Sequence, residues 1–249
     1  MNFEAHSNVR PYPREPRAPG HAVPHPVARM AHANALAPHP AGTALARHAG
    51  GFGPADEFRE IRTRLLALGG TDNFVTMVVP VTSGSGGSYV ARNLAAAFAF
   101  DEAKTAVLVD CNLRHPTQHG ALNITAAHGG LLDYLEQPQR GLAHVLYQTG
   151  VPRLQLIPAG DPRQWSMEYF SSARFSTLID SLRARSTNRY LFLDGPPLTG
   201  SPDASILSAL ADFIVIVAGY GRDTPQAINR AITGLDSKKI AGVVFNDPR

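Results

Sequence analysis

Val78 to Ala95 reads VVPVTSGSGGSYVARNLA: an apolar strand runs into a Gly/Ser loop, Ser83 to Ser88, and then into an alanine-rich helix. Glycines in such a loop let backbone N–H groups converge on phosphate oxygens, and the positive end of the following helix faces the same anion. Gly84, Gly86, Gly87, Ser88 and Tyr89 are therefore the candidate phosphate-binding residues. The full pattern, G-x-x-x-x-G-K-[ST], adds a lysine for the β- and γ-phosphates and a hydroxyl for magnesium. Here Gly87 stands in the lysine position and Ser88 in the hydroxyl position, and the chain's only lysines are Lys104, Lys238 and Lys239. The chemistry predicted is binding of ATP or ADP with Mg²⁺ at a degenerate site, with phosphoryl transfer weakened by the missing charge.

Two carboxylates strengthen that reading, because Asp110 closes the apolar run TAVLVD and Asp194 closes YLFLD. A single strand-end carboxylate is weak evidence. Two beside a phosphate-type loop form a magnesium–nucleotide arrangement, which makes Ser88, Asp110 and Asp194 the candidate metal ligands and the two aspartates the candidate catalytic residues. A further polar cluster, Phe245-Asn246-Asp247, closes the final strand.

The elements that must position these residues alternate from about residue 54. Strands are predicted near 74–80, 105–110, 154–158, 190–194, 213–218 and 240–245, and helices near 55–68, 88–101, 130–136, 170–185, 202–210 and 224–235. Near-continuous apolar strands are what a sheet covered on both faces requires. The fold class is thus α/β, a doubly wound, mostly parallel sheet with helices on both faces, and its ligand crevice lies outside the carboxyl ends of the strands.

With 249 residues and 44% hydrophobic content, the chain can bury one good core and carries extra sequence at its N-terminus. Residues 1–50, rich in Pro, His, Ala and Arg, show no periodic apolar pattern and are expected to be a disordered tail, leaving 51–249 as the folded domain. The tail holds five Arg against two Glu, so it carries the whole net charge of +3 and the body is neutral. Scattered arginines make a weak patch for lipid or an acidic partner, and no nucleic-acid partner is expected. The irregular spacing of His6, His21, His25, His32, His39 and His48 does not suggest a metal site. No apolar run is long enough for a span or a signal peptide, and the lone Cys111 fits a reducing compartment, so a cytoplasmic location is expected.

Taken together, the motifs resemble the bacterial tyrosine kinases (BY-kinases) of capsule and exopolysaccharide synthesis, relatives of the MinD/ParA-type P-loop ATPases, over about residues 54–248. ADEFREIRTRLLAL resembles the entry helix with its E-x-x-R-x-x-R oligomerisation motif, here Asp56, Arg59 and Arg62, and implies a homo-oligomer. LVDCNLRHP resembles the D-x-D-x-R-x-P motif with Asn112 in place of the second aspartate, and Arg114 and Pro116 in register. YLFLDGPPL resembles the Walker B strand, which gives Asp194 a metal-side role; Asp203 and Arg222 fall in family positions, and Asn246 matches the asparagine that contacts adenine in related ATPases. Trp165, beside the P-x-G loop, reads as a packing residue, and Arg92, one turn past Ser88, as solvent-facing. The loop is about three residues shorter than the family's, and no tyrosine follows Tyr220, where the resembled kinases have a tyrosine-rich cluster. The resemblance therefore implies a kinase-like regulatory or scaffold subunit, at the inner face of the membrane through a partner. That partner would be the cytoplasmic part of a polysaccharide co-polymerase or an active kinase paralogue. The alternatives are an active tyrosine autokinase with an atypical loop, Arg59, Arg92 or a partner's side chain supplying charge, and a MinD/ParA-like positioning ATPase.

Overall fold

In the computed structural model of the chain, the residues described are 29–34, 54–137, 139–163, 167–200 and 202–247. Their strands are β1 (Arg29–Asn34), β2 (Val75–Pro80), β3 (Thr105–Asp110), β4 (Tyr147–Gln148), β5 (Leu154–Ile157), β6 (Arg189–Asp194), β7 (Phe213–Gly219) and β8 (Ile240–Asp247). They form one sheet in the order β1-β8-β7-β2-β6-β3-β5-β4, and every pairing is parallel except β4 with β5. The α-helices are α1 (Pro54–Gly69), α2 (Gly87–Ala99), α3 (Gln118–Ala121), α4 (Leu131–Glu136), α5 (Met167–Phe170), α6 (Ala173–Ala184), α7 (Asp203–Leu210) and α8 (Pro225–Ile232). This is the mostly parallel, doubly wound α/β sheet that the apolar runs predict.

The two-residue period of a strand decides which helices each side chain meets. Val75, Met77, Val107, Val109, Leu191, Leu193, Ile214 and Ile216 join one core with Leu131, Phe175, Leu178, Leu207 and Ile228 from α4, α6, α7 and α8. The intervening residues, Val78, Ala106, Leu108, Tyr190, Phe192, Val215 and Val217, join the other with Phe58, Ile61 and Leu65 of α1 and Val90, Leu94 and Phe98 of α2. Continuing that alternation, Asp110 and Asp194 emerge on the α2 face, and so does Pro80.

Boundaries move where short-range chemistry stops an element. The helix expected over 170–185 starts at Ala173 as α6, with the separate α5 ending before it at Phe170, because the Ser172 hydroxyl accepts from the Phe175 N–H at 3.2 Å and caps α6. Pro225 opens α8 just after Thr224, whose hydroxyl accepts from Ala227 N at 3.2 Å.

Part of the expected disordered tail is a strand: Arg29–Asn34 lies parallel to β8, with Arg29 opposite Val243 and Asn34 opposite Asp247. RMAHAN gives no apolar signal because strand addition at a sheet edge is held by main-chain hydrogen bonds. The rest of the tail, including five of its six histidines, lies outside the described residues, as does Trp165. Among the described residues, no helix is long and apolar enough to cross a membrane.

Candidate functional site

The crevice sits where β2, β3 and β6 end against the N-terminus of α2. Parallel pairing of β3 with β6 sets Asp110 directly opposite Asp194, and both are fully buried. Like charges cannot both ionise cheaply at such a separation away from water. Burial, chiefly, raises both carboxyls, Asp110 to about 6 and Asp194 to about 7, and Asp194 is pushed further by the charge of Asp110.

Their hydrogen bonds are unequal. Asp110 Oδ1 accepts from Asn112 N at 3.2 Å, and Oδ2 accepts from Thr117 N and Gln118 N, both at 3.1 Å. It thereby fastens the β3–α3 connection and the first turn of α3. Asp194 Oδ2 accepts from Gln118 Nε2 at 2.6 Å. The Ser88 hydroxyl favours the ionised form of Asp194, but Oδ1 is buried with no partner in hydrogen-bonding geometry.

Gln118 was not among the residues singled out from sequence. It is fully buried; its Nε2 also donates to the Ser88 carbonyl at 2.9 Å, and its Oε1 accepts from Arg92 Nη1 at 3.0 Å. A four-residue helix has no periodicity, so nothing in the pattern marks Gln118. Arg92, expected to face solvent, is only 6% exposed. The four-residue spacing from Ser88 carries its guanidinium inward along α2, past the Tyr89 ring, towards the two carboxylates.

The Gly/Ser loop, Ser83 to Ser88, is tied down by residues that follow β7 and by β8. Asp223 accepts from Thr82 Oγ1 at 2.8 Å, Ser85 Oγ at 2.7 Å and Gly219 N at 2.7 Å. Arg222 donates to the carbonyls of Gly84 at 2.9 Å and Ser83 at 3.0 Å. Asn246 Nδ2 donates to the Ser85 carbonyl at 3.1 Å, placing this buried side chain against the loop, while its Oδ1 has no partner. Gly84 and Gly86 have φ of 82° and 89°, the left-handed region that glycine adopts without strain. The N–H groups of Gly87, Ser88 and Tyr89 head α2, where no intrahelical carbonyl reaches them. At Gly87 a Cβ would lie 2.6 Å from Pro80 Cδ, so the ring of Pro80 fills the space that a side chain there would need.

Other sequence candidates fall around this centre. Arg114 pairs at 3.5 Å with Asp203, Asn112 Oδ1 is buried without a partner, and Cys111 is buried with its thiol pushed well up by burial. The Tyr89 ring packs edge-on to Phe58 of α1. On α1, away from the crevice, Asp56 and Arg59 pair at 2.6 Å, and Arg62 donates to the Ala97 carbonyl of α2 at 2.9 Å.

The donors fit a hard divalent cation: two strand-end carboxylates, one with an unpartnered oxygen at Asp194 Oδ1, and a hydroxyl are the oxygen ligands magnesium takes. Asp194 Oδ2, however, is engaged by the Gln118 amide. At the head of α2 the Pro80 ring leaves no room for a side chain at Gly87.

No protein-family model matches the chain. It is 27% identical over 191 residues to tyrosine-protein kinase CpsD of Streptococcus agalactiae, covering 76% of this chain and 81% of that one. The solved kinase domain of the Escherichia coli tyrosine kinase ETK superposes with a TM-score of 0.70 at 22% identity, over 78% of this chain and 75% of that domain. The septum site-determining protein MinD of Pyrococcus horikoshii, solved with Mg-ADP, gives a TM-score of 0.55 at 17% identity over 70% of each chain.

Proposed function

We propose that this chain, whose homologues are bacterial tyrosine kinases, is a kinase-like regulatory or scaffold subunit of exopolysaccharide or capsule synthesis with impaired phosphotransfer. One observation carries the reading: the lysine position is Gly87, and the Pro80 ring stands where that lysine's side chain would start. In phosphoryl transfer the protein contributes positioning and charge, so losing a phosphate-facing cation removes several kcal/mol of transition-state stabilisation and orders of magnitude in rate.

Ser88, Asp110 and Asp194 are the residues that would hold magnesium, and Gly84, Gly86, Gly87, Ser88 and Tyr89 those that would meet phosphate through the loop and helix N-terminus. Asn246 would bound the pocket from β8. Bound magnesium would neutralise phosphate charge. The chain's own contribution would be to orient the phosphates by backbone N–H groups and to hold the cation's ligands fixed at adjacent strand ends. Docking would then be the output, on the cytoplasmic part of a membrane polysaccharide co-polymerase or on an active kinase paralogue. Self-association would use Asp56, Arg59 and Arg62 of α1.

A second reading, an active autokinase with an atypical loop, draws on the inward guanidinium of Arg92. Calorimetry of ATP and ADP binding with Mg²⁺ on the full chain, with Asp110→Ala and Asp194→Ala as controls, combined with phosphate release and phosphotyrosine detection, separates the two. The subunit reading expects turnover at the level of the controls. Turnover that both controls abolish, and that Arg92→Met lowers, would overturn it.

A further inference from the structure

We propose that Gln118 is the chain's own occupant of the cation position, latched there by Arg92, so that a divalent cation enters only when this side chain leaves. The inference rests on the assignment of Ser88, Asp110 and Asp194 as the cation's ligands. It goes beyond it in naming what controls access to them.

The amide is held on every side. Both of its N–H groups are used, on Asp194 Oδ2 at 2.6 Å and on the Ser88 carbonyl at 2.9 Å, and its oxygen takes the Arg92 guanidinium at 3.0 Å. The same residue's backbone N–H bonds Asp110 Oδ2 at 3.1 Å, so Gln118 alone bridges the two carboxylates and the first turn of α2. A primary amide is a poor counterpart for two buried acids. It brings partial positive charge through its hydrogens and no net charge, and it leaves Asp194 Oδ1 with no partner. A divalent cation answers both deficits, which supplies the driving force for exchange.

Rotation of the side chain needs no change in the main chain, because the bond from the Gln118 N–H to Asp110 can persist while the amide swings away. The exchange also reaches Arg92. Once the amide oxygen departs, Arg92 Nη1 loses its acceptor, and Nε is already buried without one. A buried guanidinium with unmet donors calls for an anion. Opening of the cation position and exposure of an anion-seeking group therefore occur in one movement, and metal and phosphate should bind cooperatively.

The test uses the full chain without nucleotide: Mn²⁺ binding followed by loss of the free-ion electron paramagnetic resonance signal, and the Mg²⁺-dependent shift in Tm. Gln118→Ala is expected to bind Mn²⁺ about tenfold more tightly than the unaltered chain. Arg92→Met, which removes the latch, is expected to shift affinity in the same direction by less. Gln118→Ala with Asp194→Asn is expected to lose the gain. Gln118→Asn, one methylene too short to span the same partners, must behave like the alanine variant and covers the case in which alanine fails to fold. Equal Mn²⁺ affinity in the unaltered chain and either Gln118 variant, or a gain that survives Asp194→Asn, overturns the proposal. Phosphate release from added ATP, measured separately on the unaltered chain, keeps the two readings apart. Tighter Mn²⁺ binding in the Gln118 variants with no turnover by the unaltered chain supports both; tighter binding with turnover keeps the latch and overturns the impaired subunit.

Discussion

The two buried acids at adjacent strand ends make a pH signature. Each holds its proton more tightly in the folded protein than in the unfolded chain, from an ordinary 3.8 up to about 6 for Asp110 and about 7 for Asp194. The folded state therefore carries the extra protons between those values, and stability falls as pH rises through that window before levelling off above it. Asp194→Asn should raise Tm relative to the unaltered chain, and by more at pH 8 than at pH 5. A larger benefit at the acidic end would refute the assignment. Arg92→Met should show the opposite trend, destabilising most at high pH, where the carboxylates it faces are ionised; thermal unfolding across the same range measures both. The sequence makes the aspartates legible because each terminates an apolar run. It leaves Gln118 and the inward course of Arg92 illegible, since both depend on a turn of α2 meeting a four-residue helix distant in sequence.

At the level of elements, the crevice is a product of parity and of turns that only certain residues can make. A Cβ at Gly86 would lie 2.0 Å from Asn246 Nδ2, at a φ of 89°. Gly86→Ala is thus expected to cost about 1–3 kcal/mol of stability in urea unfolding, through strain and the displaced Asn246. Ser172→Ala should cost about 1 kcal/mol by removing the α6 cap, with no effect on ligand binding. Long apolar strands and the amphipathic helices are readable from periodicity alone. The two-residue β4 and the four-residue α3 and α5 are not, because each spans barely one period and so cannot show a repeat. The start of α6 after Ser172 is announced only by a capping serine, which a helical pattern running through it conceals.

For the whole molecule, the doubly wound plan is legible because the central strands carry the same apolar signal, and β1 is not, because RMAHAN has no apolar run and pairing at the edge of β8 needs none. The surface of α1 offers a separable test of assembly. Arg59→Glu, at an exposed ion pair with Asp56, should lower the mass seen by light scattering while leaving Tm nearly unchanged. Arg62→Ala should lower Tm, since that side chain ties α1 to α2 through the Ala97 carbonyl. An unchanged mass in both variants would exclude α1 as the contact. The contact between Pro80 and Gly87 bears on the history open to such a fold. Because the ring and a new side chain compete for one volume, a lysine at 87 lies two substitutions away in sequence space, and the residue at the end of β2 has to change first. A lysine at 87 is itself disfavoured until then, so the contact works as a ratchet: the head of α2 admits a side chain only after the last residue of β2 has given way.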